Sequence, residues 1–160
     1  LPGRTIKAVI PGGSSVPILM PDQIDIPASF DDVQRAGSLL GSAAIMVLDD
    51  TCDMVWLAEN LLHFYRHESC GKCTPCREGT DWLYRLLRRI TEGQATEKDI
   101  PLLLSVANQI NGKTLCAFGD AAATPVLTTL KWFKPEFEAY IKGNPPKPAD
   151  YRARTPVESH

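Results

Sequence analysis

Three cysteines, Cys70, Cys73 and Cys76, recur at every third position in the stretch HESCGKCTPCREGT, residues 67–80. An α-helix has about 3.6 residues per turn, so steps of three drift around its axis and cannot bring three thiols to one point. A loop must therefore wrap around whatever the thiols hold, and Gly71 gives that loop its backbone freedom. Soft thiolates at this density suit a zinc ion or an iron–sulfur cluster.

The spacing of the thiols distinguishes between these two kinds of centre. Structural zinc sites usually combine two separated cysteine pairs, or cysteine pairs with histidine pairs. Three cysteines in one tight loop with a remote fourth are more typical of a 4Fe–4S cluster, in which each of four irons takes one protein ligand. The pattern favours a 4Fe–4S cluster, and the alternative is a structural zinc-binding interaction module.

The fourth ligand has two cysteine candidates, Cys116 and Cys52. The segment between Cys76 and Cys116 has the length of a helical hairpin, which would return the chain to its starting end. Cys52 is expected at the far end of a helix of about 15 residues, ~22 Å long, and is interpreted as a small buried side chain. His63 and His67 lie late in that helix, where histidines more often interact with the helix dipole or the core. Cys116 is therefore favoured as the fourth ligand.

Polar residues around the loop are candidates for stabilising such a cluster. Thr74 is predicted to cap the following helix, with Pro75 at its first position. A cluster held by four thiolates is negatively charged, and the helix N-terminus, Lys72 and Arg77 would all favour that charge. The competing interpretation of Lys72 and Arg77 is solvated surface charge.

Composition limits the other possibilities. The chain has 160 residues and a formal net charge of −2, with both signs mixed along it, so no nucleic acid partner is expected. No apolar run approaches the ~20 residues of a membrane span, so no direct membrane insertion is expected. Five cysteines, odd in number and clustered, without a signal peptide, indicate metal binding in a reducing compartment. The missing initiator Met suggests the C-terminal piece of a longer polypeptide.

Residues 1–50 are predicted to form a small α+β unit. Alternating apolar residues at Thr5–Ile10 and a second run at Val16–Leu19 predict two strands joined by a tight turn. A short helix follows, and the apolar run at residues 43–50 predicts a buried strand. The Gly12-Gly13 pair is interpreted as a hairpin turn rather than a phosphate-binding loop, because no lysine follows and no helix opens there.

Residues 51–143 are predicted to form an antiparallel bundle of about four helices, because apolar residues recur there at helical spacing and loops are short. Thr51 is predicted to cap the first helix. The fourth helix is expected to start near Asp120, with a kink or late start at Pro125 and a separate short helix after it. Residues 144–160 are rich in proline and are predicted to be an extended or disordered tail.

The two segments ESCGKCTPCREGT and LCAFGDAAATP resemble the cluster-binding region of the flavoprotein subunit of respiratory complex I, the F-type subunit of NADH-quinone oxidoreductase. AVIPGGSSVPIL and AGSLLGSAAIMVLDD resemble that family's ubiquitin-like middle domain, so the resemblance covers nearly the whole chain. It implies an α+β fold. Residues 1–50 would be a β-grasp, SLBB-type unit, not necessarily complete at its N-terminus, and residues 51–143 a four-helix bundle carrying the iron–sulfur cluster.

The resemblance also implies a function. One 4Fe–4S cluster, ligated by Cys70, Cys73, Cys76 and Cys116, takes single electrons from FMN after NADH oxidation and passes them toward quinone. The glycine-rich FMN and NADH motifs of the family's N-terminal domain do not appear in this sequence. This segment alone is therefore not expected to bind FMN or to oxidise NADH.

Partners and location follow from the same resemblance. The implied partners are the small 2Fe–2S subunit and the large iron–sulfur subunit of complex I. The implied location is peripheral, on the cytoplasmic side of the plasma membrane or the matrix side in mitochondria. The alternative within this class is the diaphorase subunit of a NAD-linked hydrogenase or formate dehydrogenase, but the cysteine-free tail favours complex I.

Overall fold

The computed structural model describes residues 3–146 of the chain. It contains a small two-stranded sheet and five α-helices, with a single 3-10 turn at Pro21–Gln23. The elements are, in chain order, β1 (Ile6–Ile10), α1 (Phe30–Arg35), β2 (Met46–Asp49), α2 (Met54–Glu68), α3 (Thr74–Thr91), α4 (Asp99–Ile110) and α5 (Phe118–Ile141). The fold is thus mixed and mostly helical, in agreement with the coarse α+β prediction.

Strands β1 and β2 pair in antiparallel orientation, with Val9 opposite Val47. The predicted second strand after the turn is reduced to one bridge, in which Val9 and Leu19 exchange backbone hydrogen bonds of 2.9 and 2.8 Å. The neighbouring N–H of Ile18 instead donates to Thr128 Oγ1 in α5, at 3.0 Å. The strand prediction fails here because this segment uses its backbone to dock on a distant helix.

Strand β2 is shorter and more exposed than predicted. It begins at Met46 rather than residue 43, because Ala43 has a positive φ of 56° that is incompatible with a strand. The side chain of Val47 is 61% exposed. A two-stranded antiparallel sheet can have one covered and one open face, and Val47 lies on the open face, so the prediction of a buried strand was wrong.

Helices α2–α5 pack around one hydrophobic core. Its most deeply buried large members are contributed by all four helices, and they are Val55, Leu62, Leu83, Leu87, Ile90, Leu103, Ile110, Val126 and Phe137. Gly79 allows α3 and α4 to approach closely, since a Cβ at that position would lie 2.6 Å from Ile110 Cδ1. This packing positions the start of α3 and the start of α5, where the predicted ligands lie.

The N-cap of α2 is Asp53 and not the predicted Thr51. Asp53 Oδ1 accepts hydrogen bonds from the N–H groups of Val55 and Trp56 at 3.0 and 2.9 Å. Thr51 instead donates its hydroxyl to Asp49 Oδ1 at 2.6 Å. A carboxylate that reaches two orphan N–H groups is a stronger cap than a hydroxyl two residues earlier.

Helix α5 does not follow the predicted break at Pro125. It begins at Phe118, continues through Pro125, and loses helical geometry at Phe133, where φ is −124° and ψ is 23°. The break lies two residues before Pro135, which removes a backbone donor from the helix. The predicted separate last helix is the segment of α5 that follows this break.

Two predictions concern the periphery of the chain. Within residues 3–146, the structure contains no helix with the length and apolar character needed to cross a membrane. The predicted proline-rich tail lies, from residue 147 onward, outside the residues that the structure describes.

Candidate metal centre

The loop between α2 and α3 carries the first two predicted ligands. Helix α2 ends at Glu68 and α3 begins at Thr74, so Cys70 and Cys73 lie in the connecting segment. Gly71 has a φ of +72°, the left-handed conformation that glycine adopts without strain. As predicted, the thiols do not share one regular helix, because the chain turns at Gly71 between Cys70 and Cys73.

The third predicted ligand, Cys76, lies in the first turn of α3 and is only 6% exposed. The N-cap is Cys73, in extended conformation, and its carbonyl accepts the N–H of Arg77 at 3.0 Å. The prediction of Thr74 as the cap was therefore wrong by one residue, and Thr74 is the first helical residue. The N–H groups of Thr74 and Cys76 have no partner inside the helix, so the positive end of α3 lies beside the loop.

Cys116 lies in the connection between α4 and α5, two residues before α5 begins, and is exposed. Thr114 Oγ1 donates to the Cys116 carbonyl at 2.8 Å. A Cβ added at the buried Gly119 would collide with the side chain of Thr114. Because Gly119 has no side chain, the connection between α4 and α5 can pack against the first turn of α5. This packing determines the position of Cys116.

The four predicted ligands lie at the same end of the helical part of the chain. Burial raises the pKa of the Cys76 thiol most, and the charges of Cys73, Cys70 and Cys116 raise it further. A hydrogen bond with Ser69 acts in the opposite direction.

The start of α3 packs against the end of α4, where Gly79 lies next to Ile110, and the ring centroids of Tyr65 in α2 and Phe118 in α5 lie 5.6 Å apart. These contacts place Cys116 at the same end of the helical part as the cysteine loop, although most of α3 and all of α4 separate it from Cys76 along the chain.

The spacing of potential donors bears on the type of centre. Among residues 3–146, no three or more His, Cys, Asp or Glu side chains are grouped closely enough to hold a single metal ion. Tetrahedral zinc with Zn–S bonds of ~2.3 Å would draw its thiolates to about 3.8 Å from one another. A 4Fe–4S cluster would take one thiolate for each of its four irons, and Cys70, Cys73, Cys76 and Cys116 provide four.

The other candidate ligands have different surroundings. Cys52 is half-buried and packs against the core formed around β1. The ring of His63 packs near that of Tyr84, with centroids 5.4 Å apart. His67 Nδ1 lies 2.9 Å from Glu68 Oε1 on an exposed surface. The packing of Cys52 and the contact of His63 with Tyr84 are the kind of surroundings that the sequence interpretation expects, and the exclusion of all three residues as ligands stays a prediction.

Arg77 ties the loop to the helix that follows it. Its Nη1 donates to the Gly71 carbonyl at 2.8 Å, and its Nε forms an ion pair with Glu78 Oε1, also at 2.8 Å. Lys72 is exposed. Arg77 is thus neither a free charge nor simple solvated surface, because one side of its guanidinium closes the ligand loop.

Sequence reasoning missed Ser69, the residue before the first ligand. Its Oγ lies 3.3 Å from Cys76 Sγ and 3.4 Å from the backbone nitrogen of Gly71. The only signal in the sequence is that a small hydroxyl residue stands at the end of a helix beside a cysteine. That signal does not indicate that the hydroxyl turns toward a thiol seven residues later.

Comparison with known proteins adds independent information. Residues 56–140 match the family described as the NADH-ubiquinone oxidoreductase-F iron–sulfur binding region. The F-type subunit numbered 2 of the NADH-quinone oxidoreductase of Rhizobium meliloti is 48% identical over 142 residues, which cover 89% of this chain and 34% of that protein. The F-type subunit of Streptomyces coelicolor is 43% identical over 163 residues, which cover 99% of this chain and 36% of that protein.

A solved structure is also similar. A chain of the NAD+-reducing [NiFe]-hydrogenase in the H2-reduced state aligns with a TM-score of 0.76 and 32% sequence identity, over 86% of this chain and 23% of that chain. The present chain spans about a third of the length of these F-type relatives from NADH-quinone oxidoreductases.

The matched family region contains Cys70, Cys73, Cys76 and Cys116. The family match confirms both the resemblance noted in the sequence and the predicted type of cofactor, a 4Fe–4S cluster. The chain belongs to the NADH-ubiquinone oxidoreductase-F iron–sulfur binding family.

Proposed function

We propose that this chain is the electron-relay portion of an NADH dehydrogenase flavoprotein subunit, with Cys70, Cys73, Cys76 and Cys116 as the ligands of its 4Fe–4S cluster. The observation that carries the proposal is that the three-cysteine loop and Cys116, in the connection before α5, lie at the same end of the helices. Four thiolates provide one ligand for each of four irons.

The residues present fit such a cluster. Its thiolate ligands must lose their protons, which burial and mutual repulsion oppose at Cys76 until positive iron is bound. The N-termini of α3 and α5 both adjoin the thiols, so two helix dipoles favour the negative charge. When bound, the cluster supplies one-electron transfer. The chain's own residues hold it in place, with Cys76 anchored in the core.

The exposure of two proposed ligands supports electron transfer to a partner subunit. Cys70 and Cys116 are exposed, whereas Cys76 is buried. The proposed cluster therefore lies at the surface of the helical part, where another subunit can approach it. Leu115, beside Cys116, is 75% exposed and offers apolar area for such a contact.

The complete electron path extends beyond this chain. In the proposal, NADH and FMN bind to the remainder of the full-length subunit, and FMN delivers electrons singly to the cluster. The cluster passes them to a neighbouring iron–sulfur subunit, either the small 2Fe–2S type or the large type, toward quinone. The subunit would be a peripheral part of the complex on the cytoplasmic side, or on the matrix side in mitochondria. The names of the relatives, which are NADH-quinone oxidoreductase subunits, support this path.

Two hydrophobic cores motivate the proposed domain division, although the core around β1 also includes Met54 and Phe133 from beyond residue 50. Residues 1–50 would be the SLBB-type ubiquitin-like unit, and residues 51–143 the four-helix bundle. One core surrounds β1 and includes Ala8 and Ile10. The larger core lies among α2–α5. This arrangement supports two units in contact.

Two alternative functions can be distinguished from the proposed one by experiment. The similarity to the hydrogenase structure favours, as second candidate, the diaphorase subunit of a NAD-linked hydrogenase or formate dehydrogenase. Co-purification of the native protein with a nickel-containing subunit would support that candidate, and co-purification with quinone-reducing activity would support the first. A structural zinc module is the candidate from another class.

Metal analysis tests the cluster directly. Anaerobically purified protein is expected to contain about four irons and four acid-labile sulfides per chain, as four thiolates on one cubane require. It should be brown and absorb in the visible range. One zinc per chain without sulfide would refute the electron-relay proposal and support the zinc module.

A further inference from the structure

The Ser69 hydroxyl lies between the backbone N–H of Gly71 and the sulfur of Cys76, a proposed cluster ligand. It is the C-cap of α2, in extended conformation with φ −62° and ψ 124°. This conformation directs its half-buried side chain back over the ligand loop. There Ser69 Oγ lies 3.3 Å from Cys76 Sγ and 3.4 Å from the nitrogen of Gly71.

The direction of these hydrogen bonds is fixed by chemistry when the cluster is bound. A backbone N–H can only donate, so Ser69 Oγ accepts from Gly71. A metal-bound Cys76 thiolate has no proton and can only accept, so the Ser69 hydroxyl donates to Sγ. The hydroxyl that accepts one bond becomes a better donor for the next, because hydrogen bonds in a chain polarise one another.

Burial makes this bond difficult to replace. Cys76 is buried, so water has little access to its sulfur if the hydroxyl is removed. Cys70 and Cys116 are exposed, and solvent can reach their sulfurs directly. Cys73 is half-buried, so Cys76 is the most buried of the four proposed ligands. Its sulfur therefore depends most on a hydrogen bond from the protein.

We propose that Ser69 sets the reduction potential of the cluster by donating a hydrogen bond to Cys76 Sγ. The inference rests on the proposed function, because it requires Cys76 to be a ligand. Reduction adds one electron from a one-electron donor and no atom, and it increases negative charge on the ligand sulfurs. A hydrogen bond to sulfur strengthens with that charge, so it stabilises the reduced cluster more than the oxidised one.

Ser69→Ala removes the donor and should lower the reduction potential. Given the net free energy of one typical hydrogen bond, the ratio of reduced to oxidised cluster at a fixed ambient potential should fall about two- to tenfold. Ser69→Thr keeps the hydroxyl and should restore the ratio of the unmodified protein. The control is Ser105→Ala, which removes the hydroxyl of an exposed serine in α4, far from Ser69 along the chain.

The measurement is a dithionite titration of the purified holoprotein, followed by electron paramagnetic resonance, with iron and sulfide content determined for every variant. Resonance Raman spectra in H2O and D2O provide a second readout. Exchange of the hydroxyl proton should shift an Fe–S(Cys) stretching band of the unmodified protein, and Ser69→Ala should lose that part of the shift.

The outcomes separate this inference from the function on which it rests. Unmodified protein without iron and sulfide refutes the cluster ligation itself. A full cluster in Ser69→Ala with an unchanged potential refutes only the role of Ser69. Loss of the cluster from both Ser69→Ala and Ser69→Gly, with retention in Ser69→Thr, would show that the hydroxyl holds the loop and would overturn its role in setting the potential.

Discussion

Lys7 in β1 and Glu136 in the last part of α5 form an ion pair, with Nζ and Oε1 2.5 Å apart. The two side chains are only 18% and 19% exposed. Lys7 Nζ also donates to the Cys52 carbonyl at 2.6 Å, and Glu136 Oε2 accepts the N–H of Met54 at 3.0 Å. The pair therefore joins the sheet, the start of α2 and the end of α5 in one network.

Breaking this pair should destabilise the fold. Glu136→Gln leaves the Lys7 ammonium largely buried without its counter-charge, and should lower the free energy of unfolding by about 2 kcal/mol, less than for a fully buried pair. Urea denaturation followed by circular dichroism measures the loss. Glu138→Gln, which breaks the exposed pair with Lys134, is the matched control and should change stability by less than about 1 kcal/mol. Equal effects of the two variants would contradict the proposed network.

Ligand identity can be tested by exchanging single cysteines. Cys116→Ser should lose or destabilise the cluster, because Cys116 lies at the same end of the helices as the three-cysteine loop. Cys52→Ser should retain the spectrum of the unmodified protein, because Cys52 packs against the core around β1. Iron content and visible absorption are the measurements. Cluster loss in the Cys52 variant together with retention in the Cys116 variant would reverse the assignment.

Arg77→Gln should lower the reduction potential only modestly. A full charge at ~7 Å in an effective dielectric of ~20 would contribute roughly 2 kcal/mol, on the order of 100 mV for one electron. The ion pair with Glu78 and the partial exposure of Arg77 should reduce this to a few tens of millivolts or less. Potentiometric titrations at low and high salt measure the shift.

The same substitution should also loosen the ligand loop, because Arg77 donates to the Gly71 carbonyl. A faster loss of the cluster in air would show that the ligand loop has loosened. Arg85→Gln is the control, since Arg85 lies eight residues further along α3, about 12 Å away. A decrease in potential as large for Arg85→Gln as for Arg77→Gln would argue against any specific placement of Arg77.

The raised pKa of Tyr65 predicts that the stability of the fold depends on pH in the alkaline range. Burial raises the pKa of its phenol above 10.0, although hydrogen bonds with Ser14 and Ser15 act to lower it. Because the folded pKa is the higher one, this stabilisation is fully present below about pH 10 and is lost as pH rises through the folded pKa. Urea denaturation between pH 8 and 11.5 should therefore show a smaller alkaline loss for Tyr65→Phe than for the unmodified protein. Parallel pH profiles for the two proteins would refute this.

The sequence predicts those parts of the site that depend on local geometry. Steps of three residues cannot align on a helix, so the spacing predicts a loop at Cys70–Cys73. The structure adds that Gly71 in this loop has the left-handed conformation. The helices follow from apolar periodicity, which is strong in α3 because one face is almost entirely buried. The return of Cys116 follows from the length of the intervening hairpin.

Other features depend on contacts between distant residues and could not be predicted. The segment at Ile18 looks like a strand, but its backbone donates to Thr128, 110 residues away. Asp53 displaces Thr51 as the cap of α2 and also accepts a hydrogen bond from Tyr140 across the core. Ser69 reaches Cys76 only because of how α2 ends. Sequence patterns reveal periodicity, but they do not show which side-chain rotamer contacts which distant residue.

The core around β1 contains two residues from the helical part of the chain, Met54 at the start of α2 and Phe133 at the break of α5. Ala8, Ile10 and Ile18 thus complete their packing on side chains from beyond residue 50. The boundary at residue 50 divides the sequence but not the packing. Evolutionary exchange of the sheet unit between proteins would accordingly require co-inheritance of the helical residues that complete its core. A fragment cut at that boundary should expose apolar surface and aggregate rather than fold.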